Sequence, residues 1–206
     1  MFTGIVKEIG MVLSLESKNG LLEINVSSNL KNLKEGDSVS VNGCCQTIVQ
    51  VYSSKFIVQA VKETLDKTNL NELKVGSKVN LEPSLTLADK LDGHLVSGHV
   101  DSTGEVIEIL NDGENQIIKI GFPETLNKYI APKGSISVNG VSLTVMDMVR
   151  AGFKPALTFS FTLIPYTRDN TNLGLLEIGS KVNLEVDLVS RYLVNYLEKS
   201  RQLTRI

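Results

Sequence analysis

The 206-residue chain repeats itself. Thr3-Gly4-Ile5-Val6-Lys7-Glu8-Ile9 resembles Thr103-Gly104-Glu105-Val106-Ile107-Glu108-Ile109, and the apolar run Leu21 to Val26 resembles Ile117 to Phe122. SSNLKNL (27–33) has a counterpart in PETLNKYI (123–130). Valine–asparagine–glycine turns follow in VNGCCQT (41–47) and VNGVSLT (138–144). TLDKTNL (64–70) returns as TRDNTNL (167–173), and GSKVNLE stands verbatim at 76–82 and 179–185. An ordered series of matches at a nearly constant offset is the mark of a duplicated unit. It predicts two homologous domains, 1–90 and 98–186, joined by residues 91–97.

Each unit reads mostly as strand. Short apolar or alternating stretches (Ile5–Leu15, Leu21–Val26, Ser38–Val41, Thr47–Val51, Phe56–Val61 and Lys78–Leu81) are separated by Gly, Asn, Asp, Ser and Lys. Six short strands per unit suit a small closed barrel, which leaves no sheet edge exposed. The period changes at the end. In residues 187–206, Val189, Tyr192, Leu193, Tyr196 and Leu197 fall along one helical face. Such a stripe either docks on its own chain or pairs with helices of other subunits.

Composition narrows the functional classes. A formal charge of −2 gives no electrostatic warrant for nucleic acid or an anionic membrane. The N-terminus does not read as a signal peptide, and no run approaches the roughly 18 apolar residues of a membrane span. The only cysteines are the neighbours Cys44 and Cys45. Their α-carbons would be about 3.8 Å apart, closer than ordinary disulfide geometry prefers, so free thiols and a cytoplasmic setting are expected.

Comparing the copies sorts these residues. Val141 stands opposite Cys44, and Ser142 opposite Cys45. Neighbours on a strand face opposite ways, so Cys44 and Val141 are expected in the core, with Cys45 and Ser142 on a shared polar face. Asn42 and Asn139 serve the turns before glycine. Both histidines lie in GHLVSGH (93–99), five residues apart and facing opposite sides of a strand. HxxxxH is not a standard zinc spacing, so no metal site is read; histidine remains a candidate proton carrier. Lys62, Glu63 and Lys133 are the charged residues nearest the turns and strand ends.

The chain resembles the riboflavin synthase family over nearly its whole length. The residues that carry the resemblance are MFTGIV at the start, VNGCC-x-T, KETL followed by TNL, GHLVSGHVD, KGSISVNGVSLTV and the RYL-containing tail. It implies an all-β fold: two tandem homologous six-stranded closed β-barrels of Greek-key type and a C-terminal amphipathic helix (187–206) that holds a homotrimer. It implies transfer of a four-carbon unit between two molecules of 6,7-dimethyl-8-ribityllumazine, giving riboflavin and 5-amino-6-ribitylamino-uracil. No metal or cofactor is implied, and association with lumazine synthase is left open.

The reactive site would form where the N-terminal barrel of one subunit meets the C-terminal barrel of its neighbour. The implied N-barrel pocket comprises Gly4, Ile5, Val6, Ser38, Cys45, Gln46, Thr47, Gln59, Ala60, Val61, Lys62, Glu63, Thr64, Gly98, His99 and Val100. The implied C-barrel pocket comprises Lys133, Ser142, Leu143, Thr144, Thr162, Leu163, Ile164, Pro165, Tyr166 and Thr167. Cys45, His99, Ser142, Thr144 and Lys133 are the implied catalytic groups.

Two positions depart from the family pattern. Gln46 replaces a leucine, and Pro165-Tyr166-Thr167-Arg168 replaces PETL. The glutamine either adds a ligand hydrogen bond or faces solvent. A rival reading is a non-catalytic antenna protein that binds a lumazine or flavin on the same fold.

Overall fold

The computed structural model describes residues 1–150 and 157–203. Residues 204–206 of the expected terminal helix lie outside the described residues. The first half contains β1 (Glu8–Lys18), β2 (Leu21–Ser27), β3 (Ser38–Val41), β4 (Cys44–Tyr52), β5 (Lys55–Ala60) and β6 (Lys78–Pro83). They close into a barrel in the order β1-β2-β5-β4-β3-β6, with β1 pairing antiparallel to β6. Alternation fills its interior, where Val12, Ile24, Val26, Val39, Val41, Phe56, Val58, Val79 and Leu81 are buried. Asn42 and Gly43 turn β3 into β4 with φ of 49° and 78°, the doubly left-handed conformation that a tight hairpin requires. A short helix, α1 (Lys62–Lys67), follows β5.

The second half is not the closed six-stranded barrel that the sequence led us to expect. Its seven described strands are β7 (Ser102–Asp112), β8 (Asn115–Gly121), β9 (Ser135–Val138), β10 (Val141–Thr144), β11 (Asp147–Arg150), β12 (Leu157–Leu163) and β13 (Lys181–Val186). They form an open, curled sheet in the order β10-β9-β13-β7-β8-β12-β11. The cause is local. In the first half a single strand, β4, pairs with β3 at one end and β5 at the other. Here its counterpart breaks between Thr144 and Asp147. Val145 exchanges hydrogen bonds with Lys133 and Gly134 just as Ile48 does with Gly36 and Asp37. Ile48 also stays paired with Val58, whereas strand pairing lapses at Val145 and Met146 and resumes at Asp147. The two edge strands, β10 and β11, are therefore joined by covalent chain and not by a ladder. Phe159, Phe161, Ile118, Ile136 and Leu184 fill the core, and α2 (Pro165–Asn170) follows β12.

The structure also shifts the start of the repeat. Gly10 lies opposite Val79 as Gly104 lies opposite Val182. Val12 N donates to Ser77 O as Val106 N donates to Ser180 O. Gly104 is thus the counterpart of Gly10, and Thr3-Gly4 corresponds to Ser97-Gly98 in place of Thr103-Gly104. The two corresponding segments do the same work. Glu82 accepts hydrogen bonds from Thr3 N, Thr3 Oγ1 and Gly4 N at 2.7, 2.7 and 3.0 Å. Glu185 accepts from Ser97 N, Ser97 Oγ and Gly98 N at 2.7, 2.6 and 2.9 Å.

These leading segments cross between the halves. Phe2 and Val96 pair with each other. Val6 packs on the second core and Val100 on the first. At the centre Gly43 and Gly140 meet so closely that a Cβ on either would lie under 3 Å from the other's backbone. Six buried asparagines surround this contact. Asn80 Nδ2 donates to Asn139 O and Asn183 Nδ2 to Asn42 O. Asn69 N donates to Asn183 Oδ1 and Asn172 N to Asn80 Oδ1. The asparagines of VNG, TNL and VNLE therefore join the halves, a role larger than the turn-forming one expected of Asn42 and Asn139.

The terminal helix α3 (Leu188–Leu203) leaves the second sheet. Asp187 Oδ1 caps it by accepting from Val189 N at 2.7 Å. Ser190 Oγ donates to Tyr129 O, and Lys128 pairs with Glu198. Its apolar stripe does not dock on its own chain: Val189, Tyr192, Leu193, Tyr196 and Leu197 are 67, 68, 55, 69 and 45% exposed. No helix of the described residues is long and apolar enough to cross a membrane.

Candidate functional site

The fold gathers the expected residues into two clusters related by the internal symmetry. The first is built on the start of β4. Alternation points Cys44 and Gln46 inward, each 5% exposed, and leaves Cys45 half-buried on the other face. Burial pushes the Cys44 thiol up to about 12, with the Gln46 hydrogen bond opposing it, so this sulfur stays protonated. Gln46 neither faces solvent nor reaches outward: its Nε2 donates to Cys44 Sγ and Cys45 O at 3.1 and 2.8 Å. It enters the core because a strand side chain two residues from Cys44 shares its face.

Gly98 lies on Cys45. Cys45 N donates to Gly98 O at 2.8 Å, and a Cβ on Gly98 would come 2.6 Å from Cys45 Cβ. With φ at +81°, this position admits little but glycine. The following residue in the chain, His99, is exposed. The His99 imidazole makes no hydrogen bond among the described residues; only its backbone N is engaged, by Ser97 Oγ. Ser38 pairs with the exposed Thr47 across β3 and β4.

The remaining expected members of this cluster are spread along the end of β5 and α1. Gln59 Nε2 donates to Glu23 Oε1, Ala60 is buried in the core, and Val61 stands at the N-cap position of α1 without a side-chain capping bond. Lys62 and Glu63 are exposed, Glu63 pairing with Lys67, while Thr64 O accepts from Thr68 Oγ1.

The second cluster is built on β10. Ser142 N donates to Gly4 O at 2.8 Å, and a Cβ on Gly4 (φ +75°) would lie 2.6 Å from Ser142 Cβ. Gly4 and Val6 thus belong with the second half, against the expectation that placed Gly4, Ile5 and Val6 in the first-half pocket. The crossing of the leading segments is the reason. Ile5 lines a cleft of about 250 Å³ together with Lys7, Glu82 and Asp92.

His94, a linker residue by sequence, completes this cluster. Its Nδ1 lies 2.7 Å from Ser142 Oγ. Burial lowers the pKa of His94 and Asp187 opposes the shift, so the ring is neutral near pH 7 and can accept the serine proton. The available signal was Gly93, whose Cβ would clash with Thr3 O at 2.1 Å and which lets the chain press against Ser142.

Lys133 occupies a strained position. Its φ is 67°, whereas its counterpart Gly36 has φ 89°; each donates its N–H to the strand crossing it, at Val145 O and Ile48 O. A lysine held where the other copy uses glycine costs roughly 1 kcal/mol and points to a role for the side chain. Thr144 is exposed, and Leu143 packs partly on the core. Thr162 Oγ1 donates to Met146 Sδ, and Leu163 is wholly buried. Ile164 and Tyr166 are exposed around Pro165 at the start of α2, and Thr167 O accepts from Thr171 Oγ1. A cleft of about 540 Å³ lined by Thr103, Glu105, Phe122, Pro123 and Lys181 takes in none of the expected site residues.

The Lumazine binding domain family model matches residues 3–84 and 97–187. A riboflavin synthase of Actinobacillus pleuropneumoniae is 39% identical over 201 residues, covering 97% of this chain and 91% of its own. One of Mycobacterium tuberculosis is 40% identical over 195 residues, covering 93% and 96%. The chain belongs to the riboflavin synthase family.

A riboflavin synthase of Bacillus subtilis, another member of this family, is 36% identical over 204 residues, covering 98% of this chain and 92% of its own. Among solved structures, LumP complexed with riboflavin is 25% identical with a TM-score of 0.80, covering 90% of this chain and 99% of that one. LumP complexed with 6,7-dimethyl-8-(1'-D-ribityl) lumazine has a TM-score of 0.78 at the same identity and coverage. In this family member one half thus presents Cys45 against Gly98, and the other presents Ser142 against Gly4 and hydrogen-bonded to His94.

Proposed function

We propose that this chain is a riboflavin synthase that converts two molecules of 6,7-dimethyl-8-ribityllumazine into riboflavin and 5-amino-6-ribitylamino-uracil by four-carbon transfer. The observation that carries the reading is the pair of equivalent but chemically unequal clusters. Cys45 with Gly98 and His99 stands in one, and Ser142 with Gly4 and His94 in the other. A reaction that gives two copies of one substrate different fates needs two similar pockets with different groups.

One lumazine must lose a proton from its C7 methyl, and the other must accept a nucleophile at C7. The ring system delocalises the charge, so the protein acts chiefly by stacking and orienting two rings and by moving protons. His94 Nδ1 draws the proton from Ser142 Oγ, which adds to C7 or holds the water that does. His99 and the hydroxyl of Thr144 carry the methyl proton, Cys45 hydrogen-bonds the second ring, and Lys133 stabilises developing negative charge. Because His99, Thr47 and Thr144 are exposed, each cluster is read as half of a site. The site is completed when the first half of one subunit faces the second half of another, with the bare stripe of α3 holding the trimer.

LumP, similar in fold and crystallised with lumazine and riboflavin, supports a second reading as a non-catalytic lumazine or flavin binder. The identities of 36 to 40% to riboflavin synthases, against 25% to LumP, favour the enzyme. Purified protein is mixed with the lumazine and riboflavin is followed by absorbance. Two lumazines consumed per riboflavin formed supports the enzyme; tight binding without turnover establishes the binder.

A further inference from the structure

The first turn of α3 is tied to the segment that carries His99. Arg191 Nη1 and Nη2 donate to Asp101 Oδ1 and Oδ2 at 2.7 and 2.9 Å, and the Asp101 side chain is only 14% exposed. Asp101 Oδ2 also accepts from Val186 N at 2.9 Å, and Asp101 N donates to Leu184 O at 2.9 Å. The residue two positions after His99 is thus fixed through side chain and backbone alike. Among the described residues, His99 itself has only its backbone held.

Other contacts also tie the helix to the protein. Ser190 Oγ donates to Tyr129 O and Lys128 pairs with Glu198, both onto the second half. The Arg191 contact differs because it reaches the leading segment that crosses to Cys45. A bidentate arginine–carboxylate pair also fixes orientation, which a single point charge does not. In the first half the counterpart of Asp101 is the exposed Lys7, whose N donates to Leu81 O as Asp101 N does to Leu184 O. Among the described residues, only one of the two leading segments is therefore clamped by a helix.

We propose that Arg191 is a positioning residue for His99: its two-pronged hold on Asp101 fixes the Gly98–Asp101 segment and so aims the imidazole of the first-half cluster. This rests on the reading of His99 as a proton-transfer group. Displacing a reacting group by about 1 Å can cost up to roughly a hundredfold in rate, so a slack clamp is read in turnover before it is read in affinity.

The test uses the full chain carrying Arg191→Gln, Arg191→Lys or Asp101→Asn; the asparagine keeps an acceptor for Val186 N. The chain has two histidines, so imidazole NMR contains its own control in His94. Arg191→Gln is expected to move the His99 resonances and leave those of His94 in place. It is also expected to lower kcat roughly tenfold with KM within about twofold and an unchanged mass by light scattering. Arg191→Lys is expected to recover part of the rate. Unmoved His99 resonances overturn the proposal, as does a joint shift of both histidines with a change of mass. If the unaltered chain forms no riboflavin, the enzymatic reading fails, and the NMR comparison still decides the clamp.

Discussion

His94 Nδ1 and Ser142 Oγ stand 2.7 Å apart, although 48 residues separate them in sequence. Burial holds His94 below the ordinary histidine value, so the ring is a proton acceptor at neutral pH. His94→Ala and Ser142→Ala are each expected to lower kcat by roughly a hundredfold, and the double variant little further, because the two groups act as one unit. Steady-state kinetics of the three variants check this; strictly multiplicative losses count against it.

The same shift fixes a pH dependence. As pH falls, the unfolded chain takes up the proton at the ordinary histidine value, before the folded chain does. Stability from His94 is therefore full above that value and is lost as pH falls through it toward the lowered folded value. The acidic limb of kcat/KM should likewise lie below the ordinary histidine range and disappear in Ser142→Ala. A limb at or above that range would show that another group controls the rate.

Lys133 should trade activity for stability. Lys133→Gly copies Gly36 of the other half and relieves a left-handed lysine, so it should raise stability by about 0.5–1 kcal/mol. Turnover should fall about tenfold or more with the loss of its charge. A glycine variant with full activity would make Lys133 a bystander.

The two cysteines should part company. Cys44→Val, copying Val141, is expected to keep near-normal turnover, and Cys44 should resist alkylation in the native protein because its thiol is buried and pushed up to about 12. Cys45→Ser copies Ser142 and isolates the sulfur. A near-normal rate would leave Cys45 as a polar contact only. Peptide mass spectrometry after brief iodoacetamide treatment reads the difference in reactivity.

The central asparagines should behave as structural bonds as well as turn formers. Asn139→Ala removes the acceptor of Asn183 N, a buried donor now at 2.8 Å, and should cost about 1–3 kcal/mol in urea unfolding. Asn139→Gly suits the φ of 46° yet loses the same acceptor, so it too should destabilise. A neutral glycine variant would restore the turn-only role.

Much of this was legible because the duplication acts as an internal control. Strand alternation together with the Cys44–Val141 and Cys45–Ser142 comparison separated core from polar face, and the structure agrees with it. The break after Thr144 was not legible, since VSLTVMDMV alternates as well as the unbroken CCQTIVQVY does. The difference is a lapse of pairing at Val145 and Met146, where the first half keeps Ile48 opposite Val58. The start of the repeat misled for another reason. TGEVIEI copies TGIVKEI in letters, but the carboxylates of Glu82 and Glu185 select Thr3-Gly4 and Ser97-Gly98 by hydrogen bonding. His94 was missed because its partner is distant in sequence: the neighbouring Gly93 signals a close approach but not which residue is approached.

The crossing of Gly4 to Ser142 and of Gly98 to Cys45 has a consequence for how such a chain can be divided and recombined. A hybrid spliced at the linker would join the first few residues of one parent to the serine pocket of another. Its cysteine pocket would receive a histidine from the other parent as well. Parents that differ around Gly4 or Gly98 would give hybrids mismatched at both pockets, however well each half folds. The midpoint of the polypeptide is not the midpoint of the chemistry, and the interchangeable module is the whole chain.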